Sequence, residues 1–239
     1  MPDEAIVDGR PINPLLWPWQ DTKRENLTLN DFLISRKFTL LFLFINWIFV
    51  LTLGYGSTRN CSDSWQREMM CNAAMYANKI FTEPNEFILS WFTGVWFNNG
   101  LDHIIYVTCG LLLFVQSFEM RMGTKNTLFL FFSGTAVVST ICAIVINYGY
   151  VVDPSNEIFS HGMDRNWMGG SVGIFSILGA ILHCSKRPLA LLIPVLLFEI
   201  WNGQTNISIQ TSSAHMLSLL YGYAAGYYIQ KRGGNSALS

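Results

Sequence analysis

Two polar residues with catalytic potential, Ser171 and His215, interrupt apolar stretches of this 239-residue chain. A polar residue inside such a stretch needs a specific partner or a task. A serine hydroxyl becomes an effective nucleophile when a neighbouring base removes its proton, and histidine is the base most often used. A serine and a histidine in contact would therefore be capable of covalent catalysis. Each residue alone would also fit a packing role between helices.

Glycines surround the candidate nucleophile: Gly169 and Gly170 precede Ser171, and Gly173 follows it. Glycine permits close backbone approach and unusual dihedral angles. The N–H groups at the start of a helix have no partner within that helix, and such groups can bind an oxyanion. The cluster therefore favours an oxyanion site around the serine, with a plain small-residue packing seam as the alternative.

Small residues also follow His215 along one helix face, since Ser218, Gly222 and Gly226 come three, seven and eleven positions later. In a bilayer, a face of small residues lets a second helix approach closely. We expect this face to press against the helix that carries the serine, with Gly173 and Gly222 at the contact.

The elements that must position these residues are transmembrane helices. The chain is 51% hydrophobic and 13% charged, whereas a soluble domain carries about a quarter charged residues. Several of the apolar runs are shorter than the ~20 residues that a spanning helix needs. The sequence nevertheless predicts an all-α, six-span membrane protein, with spans at about 38–54, 101–118, 127–149, 169–184, 188–201 and 211–229.

Basic residues are distributed as this topology requires. With the N-terminus inside, eleven of the fifteen basic residues lie on the inner side and four on the outer side, as the positive-inside rule expects. The sequence therefore predicts an integral, multi-pass protein with both termini on the cytoplasmic or equivalent inner side.

The connection 55–100 would then lie outside, between the first and second spans. Its aromatic stretch Phe87–Phe97 is too interrupted to span and could lie in the membrane interface or form a cap on the helices. Cys61 and Cys71, ten positions apart in the same connection, would pair in a disulfide if the loop faces an oxidising compartment.

Four short motifs follow one another along the chain: Leu101-Asp102-His103, Glu119-Met120-Arg121-Met122-Gly123, Gly169-Gly170-Ser171-Val172-Gly173-Ile174-Phe175, and Ala214-His215 with Gly222 and Gly226. In their order and spacing, over about residues 85–230, they resemble the motifs of the rhomboid family.

This resemblance implies an intramembrane serine protease that cleaves transmembrane helices through a Ser171–His215 dyad. His103, Gly170 and the backbone N–H of Ser171 would form the oxyanion side, and helix packing would orient the imidazole without an acidic third member. The resemblance further implies structural roles at helix ends for Glu119, Arg121 and Gly123.

One departure from the family pattern concerns the oxyanion side. Active members have an asparagine four positions after the second-helix histidine, and this chain has Val107 there. Asn98 or Asn99 could compensate from the preceding loop. Losing one oxyanion donor costs about 10²–10³ in turnover. The alternative is therefore a catalytically inactive rhomboid-like protein that binds helices or serves as a subunit of a larger membrane complex.

The remaining expectations concern organisation and partners. We predict an N-terminal segment 1–37, a membrane domain 38–230 and a tail 231–239. The expected partners are the lipid bilayer and membrane-protein substrates or partner helices. A net charge of −1 gives no reason to expect nucleic acid, and no metal or cofactor is implied. An unrelated transporter or channel is disfavoured because no inverted repeat is evident.

Overall fold

Helices make up most of the computed structural model, which describes residues 13–56, 61–204 and 206–234. The fold class is all-α, as predicted, with one short β ribbon among these residues. The outer parts of the predicted segments 1–37 and 231–239 lie outside the described residues.

The elements follow one another along the chain in this order. The first half contains α1 (Leu29–Ser35), α2 (Lys37–Leu53), α3 (Trp65–Ala73), β1 (Met75–Tyr76), α4 (Lys79–Thr82), α5 (Pro84–Thr93) and a 3-10 turn (Gly94–Trp96). The second half contains α6 (Leu101–Gly110), a π turn (Leu111–Val115), α7 (Gln116–Val152), α8 (Glu157–Asp164), β2 (Asn166–Trp167), α9 (Ser171–Cys184), α10 (Pro188–Asn202) and α11 (Asn206–Gly234).

The helix α9 is the centre of the structure. Twelve of its 14 residues are buried, which is expected of a helix that is apolar on every side. It packs most extensively against α11 and α7, and it also contacts α6 and α10. The serine at its first position is therefore held by the best-packed element of the fold.

The helical run from α6 to the end of α7 breaks at Gly123, where φ is +79° and ψ is 159°. Glycine tolerates this left-handed φ because it lacks a Cβ. The predicted spans 101–118 and 127–149 lie on the two sides of this break, so the glycine marks the turn between them.

Among the described residues, the run Leu101–Val152 is long and apolar enough to span a membrane. The pair α1 and α2, bent by 83°, would make a second candidate. The apolar helices α9 and α10 have 14 and 15 residues, fewer than the ~20 that cross a bilayer. The six-span arrangement stays a prediction.

The connection between α2 and α6 folds into short helices above α7. The structure joins Cys61 and Cys71 in a disulfide at the start of this region. The strand β1 pairs antiparallel with β2, which ties the connection to the segment just before Ser171. The helix α5 buries Phe87 against α7 and leaves Leu89 and Phe92 exposed. One face of α5 therefore packs as a cap on the helices, and its other face is exposed to the surroundings of the protein.

Candidate active site

Ser171 is the first residue of α9, with Gly170 as the N-cap. The preceding Gly169 has a φ of +105°, and its amide donates to the carbonyl oxygen of Gly94 (2.9 Å). The chain therefore turns sharply into the helix, with Ser171 in the first turn, where N–H groups have no acceptor within the helix. This arrangement presents a hydroxyl and free amide donors on the same side.

His215 lies opposite, on α11, and its Nε2 is 3.0 Å from Ser171 Oγ. Both residues are buried, with 3% of His215 and 6% of Ser171 exposed. The distance is within the range over which a base accepts a hydroxyl proton. The structure thus brings together the two residues that the sequence singled out.

Close packing of α9 against α11 makes this contact possible. A Cβ on Gly222 would lie 1.8 Å from the backbone oxygen of Ser176, and one on Gly226 would lie 3.0 Å from Ala180 Cα. From the other side, a Cβ on Gly179 would lie 2.1 Å from the backbone oxygen of Leu219. The small-residue face of α11 therefore meets α9, as expected.

The expectation that Gly173 lies at the contact between α9 and α11 is wrong. A Cβ at Gly173 would meet the ring of Phe131 on α7, at 2.6 Å. The residue therefore sets the distance between α9 and α7, and Gly179 occupies the position facing α11. Sequence spacing shows which residues share a helix face, but it does not show which of several neighbouring helices that face contacts.

Glu199 follows Ser171 and His215 as the third member of a series of hydrogen-bonded side chains, and sequence reasoning missed it. Its Oε1 lies 2.9 Å from His215 Nδ1, and 3% of Glu199 is exposed. Helix packing alone was expected to orient the imidazole, and the structure in addition places an acidic side chain against it. A signal was available, because an acidic residue inside an apolar stretch marks a functional-site candidate, and Glu199 falls within the predicted span 188–201.

His103 lies on the other side of the serine, at the start of α6. The backbone N–H of Asn99 donates to His103 Nδ1 at 3.4 Å, which leaves Nε2 to carry the proton in a neutral ring. The imidazole rests against Gly169, where an added Cβ would lie 2.2 Å from its Cε1. His103 is therefore placed beside the turn that carries Ser171, with a ring donor available.

These side chains share one cavity of about 280 Å³, lined among others by Ser171, His215, His103, Asn99 and Arg165. The cavity brings a nucleophile, a base and several donors to one space. That combination suits a carbonyl substrate whose oxygen becomes negatively charged during attack.

Arg165 adds a positive charge to the cavity wall. Its guanidinium lies 4.7 Å above the ring of Trp167 and donates to Thr211 Oγ1 at 2.8 Å. Burial lowers the pKa of Arg165 to about 10, so the side chain is still charged at neutral pH. A fixed positive charge favours developing negative charge nearby. Arg165 is one of the four basic residues that the predicted topology places on the outer side.

Val107 is fully buried in the apolar core with Phe42 and Leu111. The position that carries an oxyanion donor in the resembled family is thus part of the packing between helices. Replacing a polar donor by valine there fills core volume.

The two asparagines before α6 behave differently. Asn98 is buried, and its Nδ2 donates to Asn46 Oδ1 at 2.9 Å. Asn99 lines the cavity beside Ser171. Of the two proposed substitutes for the missing donor, Asn99 is the one within the site.

The three residues expected to be structural lie around the break in α7. Glu119 accepts hydrogen bonds from the backbone N–H groups of Phe38 (2.8 Å) and Thr39 (2.9 Å), and from the hydroxyls of Thr39 and Thr124. Its carboxylate therefore serves the free N–H groups at the start of α2.

Arg121 ties a different segment to the same turn. Its Nε donates to the carbonyl oxygen of Pro14 at 3.0 Å. Together with Gly123, which makes the turn itself, it fixes the N-terminal described segment against α7.

Comparison of the chain with protein-family models, with curated proteins and with solved structures finds no match.

Proposed function

We propose that this chain is an intramembrane serine endopeptidase that cleaves transmembrane helices of other membrane proteins. The observation that carries the proposal is the 3.0 Å contact between Ser171 Oγ and His215 Nε2 inside a cavity lined with donors. A buried serine and histidine on two different helices require a specific arrangement, and here it has the geometry of a nucleophile and its base.

The reaction would proceed in two stages, acylation of Ser171 and hydrolysis of the resulting ester. Ser171 Oγ attacks the substrate carbonyl carbon while its proton passes to His215 Nε2, and the imidazolium then protonates the leaving amine as the C–N bond breaks. Water attacks the resulting ester, giving its proton to His215, which returns a proton to Ser171 Oγ as the acid leaves. The chain emerges unchanged and one peptide bond is hydrolysed.

The oxyanion formed at each stage needs donors in place beforehand. The backbone N–H of Ser171, in the uncapped first turn of α9, is one candidate, and the ring N–H of His103 is another. Asn99 contributes a third polar group to the same cavity. Arg165 favours the negative charge from the cavity wall.

A membrane setting is supported by the outer surface of α10. Leu189, Ile193, Leu197 and Ile200 lie along one side of this helix, and each is at least 52% exposed. An apolar stripe of this kind is favourable in contact with lipid. We propose that the apolar helices form a six-span bundle with both termini on the inner side.

The short length of α9 would place the site below the membrane surface. Fourteen residues rise only ~21 Å, against ~30 Å for the hydrocarbon core. With Lys186 and Arg187 at the inner surface after α9, Ser171 would lie within the bilayer at the end of an open cavity. A substrate helix would have to unwind locally to present a carbonyl there.

A second candidate, a catalytically inactive helix-binding protein, is favoured by one observation. Val107 is built into the apolar core, so the oxyanion side lacks the donor found at that position in the resembled family. Such a protein would retain the cavity and bind a partner helix without cleaving it.

Activity-based labelling decides between the two. The full chain, purified and reconstituted in proteoliposomes, is treated with a fluorophosphonate probe and with a reporter transmembrane substrate. We expect labelling and cleavage in the wild type and loss of both in Ser171→Ala and His215→Ala. Ser139→Ala, which removes another serine from the same cavity, should retain both.

The contrary result is also specific. Labelling that persists in Ser171→Ala, or reporter cleavage that is equal in all four proteins, would exclude Ser171 as the nucleophile. Stable binding of the reporter without cleavage by any of them would favour the inactive helix-binding protein.

A further inference from the structure

Glu199 occupies an unusual place on α10. Among residues 188–202 of this helix, it is the one that is buried, while its neighbours are half-buried or exposed. An ionisable side chain is costly to bury unless it is hydrogen-bonded or paired. The Glu199 side chain points inward to the site while Ile200 and Trp201 beside it are exposed, so the contacts of its carboxyl group come from α6 and α11.

Two side chains converge on one oxygen of this carboxyl group. His215 Nδ1 lies 2.9 Å from Oε1, and the hydroxyl of Tyr106 lies 3.4 Å from the same atom. The tyrosine ring is stacked on Phe198, the residue before Glu199, with centroids 5.4 Å apart and planes at 14°. These contacts hold the carboxylate in line with the imidazole.

The hydrogen bond determines which imidazole nitrogen carries the proton. An ionised carboxylate can only accept, so Nδ1 of His215 must donate. In the neutral ring Nε2 then has a free lone pair, and that is the atom facing Ser171 Oγ at 3.0 Å. The other tautomer would place an N–H against the serine and could not remove its proton.

From this geometry we infer that Glu199 is a positioning residue for His215, so that the site operates as a Ser–His–Glu triad and not as a two-residue dyad. The inference rests on the proposed function of Ser171 and His215. When Ser171 Oγ bonds to the substrate carbonyl, its proton moves to His215 Nε2. The Nδ1 proton remains on the ring, hydrogen-bonded to Glu199, whose negative charge stabilises the imidazolium until Nε2 protonates the leaving amine.

The alternative is that Glu199 only joins α10 to α11. A second hydrogen bond between these helices exists, from Ser212 Oγ to the backbone oxygen of Glu199 at 3.3 Å. Ser212 also hydrogen-bonds to the Glu199 carboxyl group, so its removal would disturb the carboxylate as well. Val195→Ala, which removes a half-buried side chain of α10 from the apolar cluster that contains Leu219, is the matched control for loss of packing by this helix. Tyr106→Phe removes the other donor to Oε1 and leaves the bond to His215.

Steady-state cleavage by the full chain in proteoliposomes tests the inference. In a Ser–His–Asp protease, changing the acid to its amide lowers kcat about 10⁴-fold. We expect Glu199→Gln to lower kcat by about 10²- to 10⁴-fold with KM changed less than about twofold. Glu199→Asp, which keeps the charge, should retain more activity than Glu199→Gln. The kcat of Val195→Ala should stay within about threefold of the wild-type value.

The pH dependence of kcat/KM distinguishes a role of Glu199 in positioning His215 from a role in helix packing. The charged and titratable groups around Ser171, His215 and Glu199 are Asp102, His103 and Tyr106 on α6, His215 itself on α11, and Arg165 before α9. Without the Glu199 charge the imidazolium loses its counter-ion, so the acidic limb of kcat/KM should move to lower pH in Glu199→Gln. Val195→Ala should leave that limb in place.

A measurement that does not need activity uses the histidine ring itself. In the full-length Ser171→Ala protein with ¹⁵N-labelled histidine, His215 should show a downfield Nδ1–H resonance, assigned by its loss in His215→Ala. Glu199→Gln should shift or remove that resonance. An unchanged resonance, or a Glu199→Gln enzyme within about threefold of wild-type kcat with the same pH profile, would overturn the triad.

These outcomes distinguish the two proposals. If cleavage depends on Ser171 but is unchanged by Glu199→Gln, the protease proposal is kept and the triad is rejected. If the wild-type protein shows no Ser171-dependent labelling or cleavage, both the protease proposal and the triad are rejected.

Discussion

The ring of Phe175 lies flat against the imidazole of His215, with centroids 4.1 Å apart and planes at 8° to each other. Phe175 comes one helical turn after Ser171 on α9, so the same helix presents the nucleophile and a surface for the base. With Glu199 at one edge of the imidazole and Ser171 at the other, the ring has little freedom to tilt or turn.

Removing this ring should affect catalysis more than substrate binding. Aromatic stacking contributes about 0.5–1.5 kcal/mol beyond burial, equivalent to about a 2- to 12-fold change in rate. We expect Phe175→Leu to lower kcat by about that factor with KM nearly unchanged, measured by reporter cleavage. Phe114→Leu, which removes a half-buried ring from the neighbouring apolar clusters, is the control. An equal loss of kcat in both variants would argue against a role in orienting His215.

The pairing of Ser171 with His215 was predicted from the family resemblance, because local patterns single out each residue but not its partner on another helix. Glycines around the serine and small residues at helical spacing after the histidine both indicate close helix packing. The apolar runs located the helices themselves, and Gly123 falls between two predicted spans. In these local features the residues that matter lie within one turn, one helix face or one apolar run.

Glu199 and Gly173 were misjudged for a different reason. Each depends on which neighbour a helix face meets, and that is set by the arrangement of several helices in three dimensions. Glu199 reaches His215 because α10 packs beside α11, and Gly173 meets Phe131 because α7 lies on that side of α9. A single sequence contains periodicity but not the order of helices around α9.

Gly169 and Gly123 offer a matched comparison of two glycines with left-handed φ, at +105° and +79°. A Cβ at Gly169 would lie 2.2 Å from the ring of His103, whereas nothing lies within 4 Å of one at Gly123. We expect Gly123→Ala to cost about 1–2 kcal/mol from backbone strain alone, with normal kcat. Gly169→Ala should show that strain and, in addition, lower kcat at least about tenfold, because it displaces His103 from the oxyanion side.

Thermal unfolding and reporter cleavage, measured on the same preparations, check this pair. If Gly169→Ala loses stability but keeps wild-type kcat, His103 does not serve the reaction from its observed position.

Gly222 and Gly226 test how closely α9 and α11 must approach. A Cβ on Gly222 would overlap the backbone of Ser176, which cannot move without shifting α9, while one on Gly226 would be only tight against Ala180. We expect Gly222→Ala to destabilise the protein by about 3 kcal/mol or more and to abolish Ser171 labelling, since overpacking typically costs about 1–3 kcal/mol. Gly226→Ala should cost about 1 kcal/mol and leave labelling measurable. Equal unfolding midpoints for the two variants would show that the helices can separate without consequence.

Glu119 should be a determinant of stability. Its two carboxylate oxygens accept from two backbone N–H groups at the start of α2 and from two hydroxyls. In Glu119→Gln one acceptor oxygen becomes an NH₂ group that faces donors, and the negative charge at the N-terminus of α2 is lost. We expect the free energy of unfolding to fall by about 2–4 kcal/mol, measured by chemical denaturation in detergent followed by tryptophan fluorescence. Glu68→Gln, an exposed residue of α3, should change it by less than about 0.5 kcal/mol, and a similar small effect at Glu119 would mean that the N-terminus of α2 is satisfied without this carboxylate.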